Sequence, residues 1–173
     1  MKFLIFITPH EFRDESLSTV KLFFDKWNIG YTISSYSNKD CVGSHGQVCK
    51  VDMNTGKAKA EDFDGIMLID GKGIEAYKIF DFRPLLDLLT KFNERKKTII
   101  AIENAVKIPA RANIIKGKKM AMPEDAEAKR LIQLFHGVPS AEKIEVSDNI
   151  ISVRDHKDLE SSMQTIVERL GAA

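Results

Sequence analysis

Apolar residues along this chain fall into two kinds of run. One kind is continuous. Positions 2–8, 65–69 and 98–102 are almost wholly aliphatic or aromatic, and 31–36 mixes aromatic and β-branched residues. Runs of this length without alternation suit strands buried on both faces of a sheet. The other kind recurs every three or four residues: Leu17, Val20, Phe24 and Trp27; Leu85, Leu88, Leu89 and Phe92; Ala128, Leu131, Ile132 and Phe135; Leu159, Met163, Ile166, Val167 and Leu170. That spacing predicts four amphipathic helices.

The punctuation agrees. Asn28 and Gly30 stop the first helix, Pro84 suits the first turn of the second, and Pro123-Glu124-Asp125 opens the third with acids at its positive end. A helix is expected over 105–112 despite Pro109, and two strands over 144–146 and 149–153 around a Ser147-Asp148 turn. The polar stretch 44–59 holds a short strand at 48–51 and a turn at Asn54-Thr55-Gly56. Strands alternating with helices predict a mainly parallel sheet covered on both faces, a three-layer α/β/α sandwich of flavodoxin-like type forming one domain over 1–173. Ligand sites in such folds lie beyond the carboxyl ends of the strands, here the loops 9–14, 70–75 and 103–107.

Composition narrows the function classes. The 173 residues carry 26 Lys plus Arg against 25 Asp plus Glu. A net charge of +1 argues against a basic nucleic-acid binder. The apolar run at 2–8 is too short for a membrane span and lacks a signal-peptide cleavage site, so a cytoplasmic protein with reduced thiols is expected. Cys41 and Cys49, the two cysteines, match no zinc or haem spacing and read as packing or exposed thiols.

Other chemistry is thin. Gly71-Lys72-Gly73 fits neither the P-loop nor the dinucleotide fingerprint, since five residues separate Gly65 from Gly71 where the P-loop has four, and Ala76 stands where a third glycine belongs. His10, His45, His136 and His156 show no metal spacing and read as exposed or capping residues. Lys116-Gly117-Lys118-Lys119 lacks interleaved aromatics and reads as a solvated turn. Met120 and Met122 read as core filler. No metal and no cofactor is expected.

A resemblance then emerges from several stretches in order. Ile100-Ala101-Ile102-Glu103-Asn104-Ala105 followed by Ile114-Ile115-Lys116-Gly117-Lys118-Lys119, Phe63-Asp64-Gly65-Ile66-Met67-Leu68, Ser44-His45-Gly46 through Asp52, and Ile151-Ser152-Val153-Arg154 with Asp158-Leu159 together resemble the ThiJ/PfpI superfamily. The fold implied is the class I glutamine amidotransferase-like one, and the nearest branch is the PfpI-type intracellular proteases. Such proteins use a cysteine on a sharp strand-to-helix turn, the nucleophile elbow, with a neighbouring acid, a histidine and a glycine loop for the oxyanion.

Carried over residue by residue, the elbow cysteine falls on Glu103, the adjacent histidine on Asn104 and the next glycine on Ala105. The early acid motif falls on Phe12-Arg13-Asp14-Glu15-Ser16, so Arg13 and Ser16 replace its two glutamates; a one-residue slip would offer Glu11 or Glu15. The oxyanion loop falls on Ile69-Asp70-Gly71, and a histidine of some branches falls on Met122.

These replacements look coupled. A carboxylate in an enclosed site costs several kcal/mol unless paired, and the alignment sets Arg13 opposite Glu103, with Asp70 and Lys72 on hand for a wider ion network. The expectation is a non-catalytic superfamily member with a binding, scaffolding or regulatory role, homo-oligomeric by resemblance. The alternative is a hydrolase, peptidase or deglycase-type enzyme using Glu103, with Asn104, Ser16 and Glu15 as its neighbours. A further possibility is a pocket in which Arg13, Asp70, Gly71 and Lys72 take a small anionic ligand. Neither nucleic acid nor membrane is an expected partner.

Overall fold

The computed structural model describes residues 1–172. Its elements, in chain order, begin with strand β1 (Lys2–Phe6), the short β2 (His10–Phe12), helix α1 (Asp14–Lys26) and β3 (Gly30–Ser35). A hairpin of β4 (Cys41–Gly43) and β5 (Val48–Cys49) follows, then β6 (Met53–Asn54), β7 (Gly65–Leu68), the single-turn α2 (Gly73–Ala76), α3 (Arg83–Glu94) and β8 (Thr98–Ile102). The last third holds α4 (Lys107–Arg111), β9 (Lys119–Ala121), α5 (Ala126–Leu134), β10 (Val138–Ser140), β11 (Ile144–Ser147), β12 (Ile150–Val153) and α6 (Leu159–Arg169).

Seven strands form one sheet in the order β11-β12-β8-β7-β1-β3-β6, parallel except for β11. The continuous apolar runs follow from this arrangement. Successive side chains of a strand point to opposite faces. Leu4, Phe6, Ile66, Leu68, Ile99 and Ala101 therefore pack against α3, α4 and α5. Phe3, Ile5, Met67, Ile100 and Ile102 pack against α1 and α6. Both faces being dry, neither set can be polar. This is the three-layer α/β/α sandwich that the periodicity predicts.

Several elements differ from expectation. The helix over 105–112 is a 3₁₀ turn, Glu103–Val106, leading into the five-residue α4. Pro109 is the third residue of α4, where its missing N–H would have had no partner inside that helix. The strand at 48–51 shrinks to β5, and Met53–Asn54 instead pairs with β3 at the sheet edge. Two small sheets have no periodic signal: β9 paired with β10, and β2-β4-β5 beside the main sheet's carboxyl end. Elements of two or three residues are too short to show a period. Elsewhere the signals hold: Asp125 caps α5 by accepting from the Glu127 N–H at 2.9 Å.

Candidate functional site

β1, β7, β8 and β12 are neighbours in the sheet, and their carboxyl ends deliver four charged side chains to one place. The chain after β1 brings Arg13, the turn after β7 brings Asp70, the turn after β8 opens with Glu103, and β12 runs into His156. Arg13 Nε donates to Asp70 Oδ2 at 2.7 Å, and its Nη2 lies 3.4 Å from Glu103 Oε1. The other Glu103 oxygen, Oε2, accepts from the His156 backbone N–H at 2.9 Å and faces His156 Nδ1 at 2.8 Å. A carboxylate only accepts, so the ring proton sits on Nδ1, which also lies 3.1 Å from Asp155 Oδ1. Both oxygens of Glu103 are thus engaged.

Glu103 takes φ +49°, the left-handed region that a glutamate adopts at a cost of about 1–3 kcal/mol. The sharp strand-to-helix turn therefore persists although no cysteine stands on it. Asn104 secures the facing loop. Its Oδ1 accepts from the Gly71 N–H at 3.1 Å while its Nδ2 donates to the Gly71 carbonyl at 2.7 Å, as a paired backbone would. The surviving glycine of the expected oxyanion loop thus has its N–H already bonded.

The electrostatics centre on Asp70, which is fully buried. Burial pushes its pKa up to about 6, Ser16 and Arg13 pull the other way, and Glu103 adds to the rise. The Ser16 hydroxyl favours the ionised Asp70, yet Asp70 Oδ1 and Ser16 Oγ, both enclosed, have no well-formed hydrogen bond. Burial works against the charge on Arg13, but its hydrogen bond to Asp70 and the charges of Asp70 and Glu103 win and raise its pKa.

Other expected members lie elsewhere. Lys72 stands exposed ahead of α2 and takes no part in the network of Arg13, Asp70, Glu103 and His156. Asp14, the first residue of α1, turns to the hairpin and accepts from the N–H groups of His45 and Gln47 at 3.0 and 3.2 Å. Glu15 pairs with His45 at 2.7 Å, and Glu11 is exposed, so neither serves at the elbow.

His156, read from sequence as an exposed or capping residue, is instead part of the site. Only the sheet order reveals it: β12 pairs with β8 with Val153 opposite Ile102, so the residues following each strand meet. Asp70, Glu103 and His156 offer ligand atoms within 4.8 Å of one another, a set that could hold a metal ion. The Arg13 guanidinium already pairs with two of these three groups, so one positive charge is supplied from within the chain.

A groove of about 600 Å³ adjoins the His156 turn; its charged lining is Lys129, Arg154 and Lys157 against Glu124, Asp155 and Asp158. The lining is balanced in sign and does not select for anions. Arg154 itself is held by Asp158 at 3.0 Å.

The sequence model of the DJ-1/PfpI family matches residues 1–169. The chain belongs to the DJ-1/PfpI family. An uncharacterized protein of Methanocaldococcus jannaschii is 26% identical over 153 residues, covering 88% of this chain and 74% of that protein. A Pyrococcus horikoshii protein named deglycase PH1704 is 24% identical over 116 residues, 67% of this chain and 69% of the relative. Among solved structures, the ThiJ/PfpI domain protein of Brachyspira murdochii superposes with a TM-score of 0.91 at 19% identity, over 99% of this chain and 97% of that one. At that identity the likeness speaks for the DJ-1/PfpI fold alone. Among the described residues, no helix is long and apolar enough to cross a membrane.

Proposed function

We propose that this DJ-1/PfpI protein acts by binding, in a scaffolding or regulatory role, and that its elbow is closed by an internal charge network instead of performing catalysis. The observation that carries this reading is that both oxygens of Glu103 are engaged, by Arg13 and by His156. A nucleophile or general base needs an oxygen free to approach substrate, and here the oxygens of Glu103 are turned to Arg13 and His156. The Gly71 N–H, which an oxyanion would need, is held by Asn104. The Pyrococcus relative is named a deglycase; here a carboxylate stands where the family resemblance sets the thiol of such chemistry. The Arg13 fork is occupied by two carboxylates of the same chain, which argues against an anionic ligand there. The balanced groove beside His156 is the better candidate surface for a small ligand. A homo-oligomer in solution belongs to this reading and is measured by light scattering.

A second reading rests on the 2.8 Å contact of Glu103 with His156 Nδ1. A carboxylate behind an imidazole fixes its tautomer and leaves Nε2 free for proton transfer. A hydrolase or deglycase-type enzyme would then use the pair together.

Turnover of methylglyoxal and of a peptide substrate separates the two. Wild type, Glu103→Gln and His156→Ala are expected to give the same background rate. Wild-type turnover that disappears in both variants would overturn the binding role in favour of the pair.

A further inference from the structure

The two cysteines lie far from the elbow in sequence and take no part in its network, yet they are not independent. In the β4–β5 hairpin Cys41 pairs directly with Cys49. Residues directly opposite in an antiparallel pair project to the same face, and here that face is the core layer formed with α1, with Cys41 1% and Cys49 5% exposed. Both thiols are free. We propose that Cys41 and Cys49 are a disulfide-forming site, closing reversibly across this hairpin when the protein meets a small-molecule disulfide.

The backbone pattern says what kind of bond this is. Val42 donates its N–H away from β5, to the Pro9 carbonyl at 2.9 Å. Backbone groups alternate in direction along a strand, so Cys41 and Cys49 form a hydrogen-bonded pair. The Cα separation of such a pair is about 5.5 Å, inside the roughly 4.4–6.8 Å that a disulfide bridges. The Cβ atoms must still draw together to about 3.8 Å. The bond is therefore strained, and strained disulfides are the easily reduced ones. Local movement is available: β5 has two residues, and the connecting loop contains Gly46 at φ +87° with open space around it.

The surroundings assign an order to the two thiols. Lys21 Nζ lies 3.9 Å from Cys49 Sγ and favours its thiolate, although burial raises the pKa of both thiols. Cys49 attacks one sulfur of the small disulfide, forming a mixed disulfide and releasing one small thiolate. Cys41 then attacks the Cys49 sulfur, releasing the second. The protein loses two protons and two electrons, and the oxidant is reduced to two thiols. The protons now point at the carbonyls of Lys39 and Lys50, at 3.7 and 3.6 Å. Both residues are exposed, so those carbonyls can turn to water once the thiols are gone. The closed ring would hold the loop whose His45 and Gln47 N–H groups grip Asp14 at the start of α1.

The test treats the folded protein with oxidised glutathione, blocks remaining thiols by alkylation after denaturation, and reads intact mass. Wild type is expected to lose both alkylation sites as a monomer, without retained glutathione, and to regain both on reduction. Cys41→Ser is expected to keep one glutathione, on Cys49. The proposal is overturned if wild type keeps both thiols, if it retains glutathione because Cys41 fails to displace it, or if the oxidised product is a disulfide-linked dimer.

Discussion

Asp70 is the residue whose position costs the fold most visibly. It has no solvent exposure, one of its oxygens has no well-formed bond, and burial outweighs Ser16 and Arg13 in setting its pKa at about 6. In the unfolded chain the same carboxyl titrates near 3.9. The folded pKa is therefore raised, and between about pH 4 and pH 6 the native state binds the proton more firmly than the unfolded one. Stability contributed by this group accordingly falls as pH rises through that window and stays low above it. A shift of roughly two units corresponds to ~3 kcal/mol. Asp70→Asn keeps the shape and abolishes the titration. Urea unfolding at pH 4.5 and pH 7.5 is expected to show a larger loss of stability with rising pH in wild type than in Asp70→Asn. Parallel slopes for the two proteins would assign the cost elsewhere. Sequence alone names Asp70, Arg13 and Glu103 as one cluster. It gives no hint that Asp70 is the enclosed member, because depth depends on how closely the 9–14 loop packs over the β7 turn.

At the scale of elements, legibility tracks length. α1, α3, α5 and α6 are long enough for their apolar stripes to repeat, and the core strands are long enough to exclude polar residues. The pieces that shape the site are short: β2, the 3₁₀ turn at Glu103 and single-turn α2. They are fixed by close backbone contacts that leave no periodic trace. Gly71 shows this most clearly. At φ +141° it bridges Phe12, and a methyl placed on it would run into the Glu11 carbonyl oxygen and meet the Arg13 backbone nitrogen at 2.8 Å and the Phe12 Cα at 2.9 Å. Gly117 also has a positive φ, +73°, but open space around it. Gly117→Ala should therefore cost only the backbone strain, about 1 kcal/mol. Gly71→Ala should cost that and the displacement of Arg13 as well, ~3 kcal/mol in all. Chemical denaturation of the two variants side by side measures the difference. Equal losses would mean that the 9–14 loop yields freely and does not press Arg13 into place.

Across the whole molecule, the sheet order decides which distant residues meet, and that order is what the sequence reveals least. β12 beside β8 explains His156; the pairing of α2, α4 and the start of α5 explains a second ionic centre, around Lys107. Its side chain is 3% exposed, with Nζ 2.8 Å from both Glu75 and Asp125. Burial disfavours its charge, but the hydrogen bonds it donates to Asp125 and Glu75 raise its pKa overall. The two acids are 43% and 32% exposed, so the triad is asymmetric: the cation is enclosed and the anions reach water. Removing the cation leaves two carboxylates that can hydrate, whereas removing the anions strands a buried ammonium. Stranding a buried charge costs about 3–5 kcal/mol, while Lys107→Met, which keeps the apolar stem packed, should cost ~1 kcal/mol by the measure of half-exposed pairs. Glu75→Gln with Asp125→Asn is therefore expected to destabilise the protein more than Lys107→Met, and adding Lys107→Met to that pair is expected to restore much of the loss. A triple variant no more stable than the double one would show that the acids act through Asn104 and the α5 cap, to which Glu75 and Asp125 are also bonded, and not through Lys107.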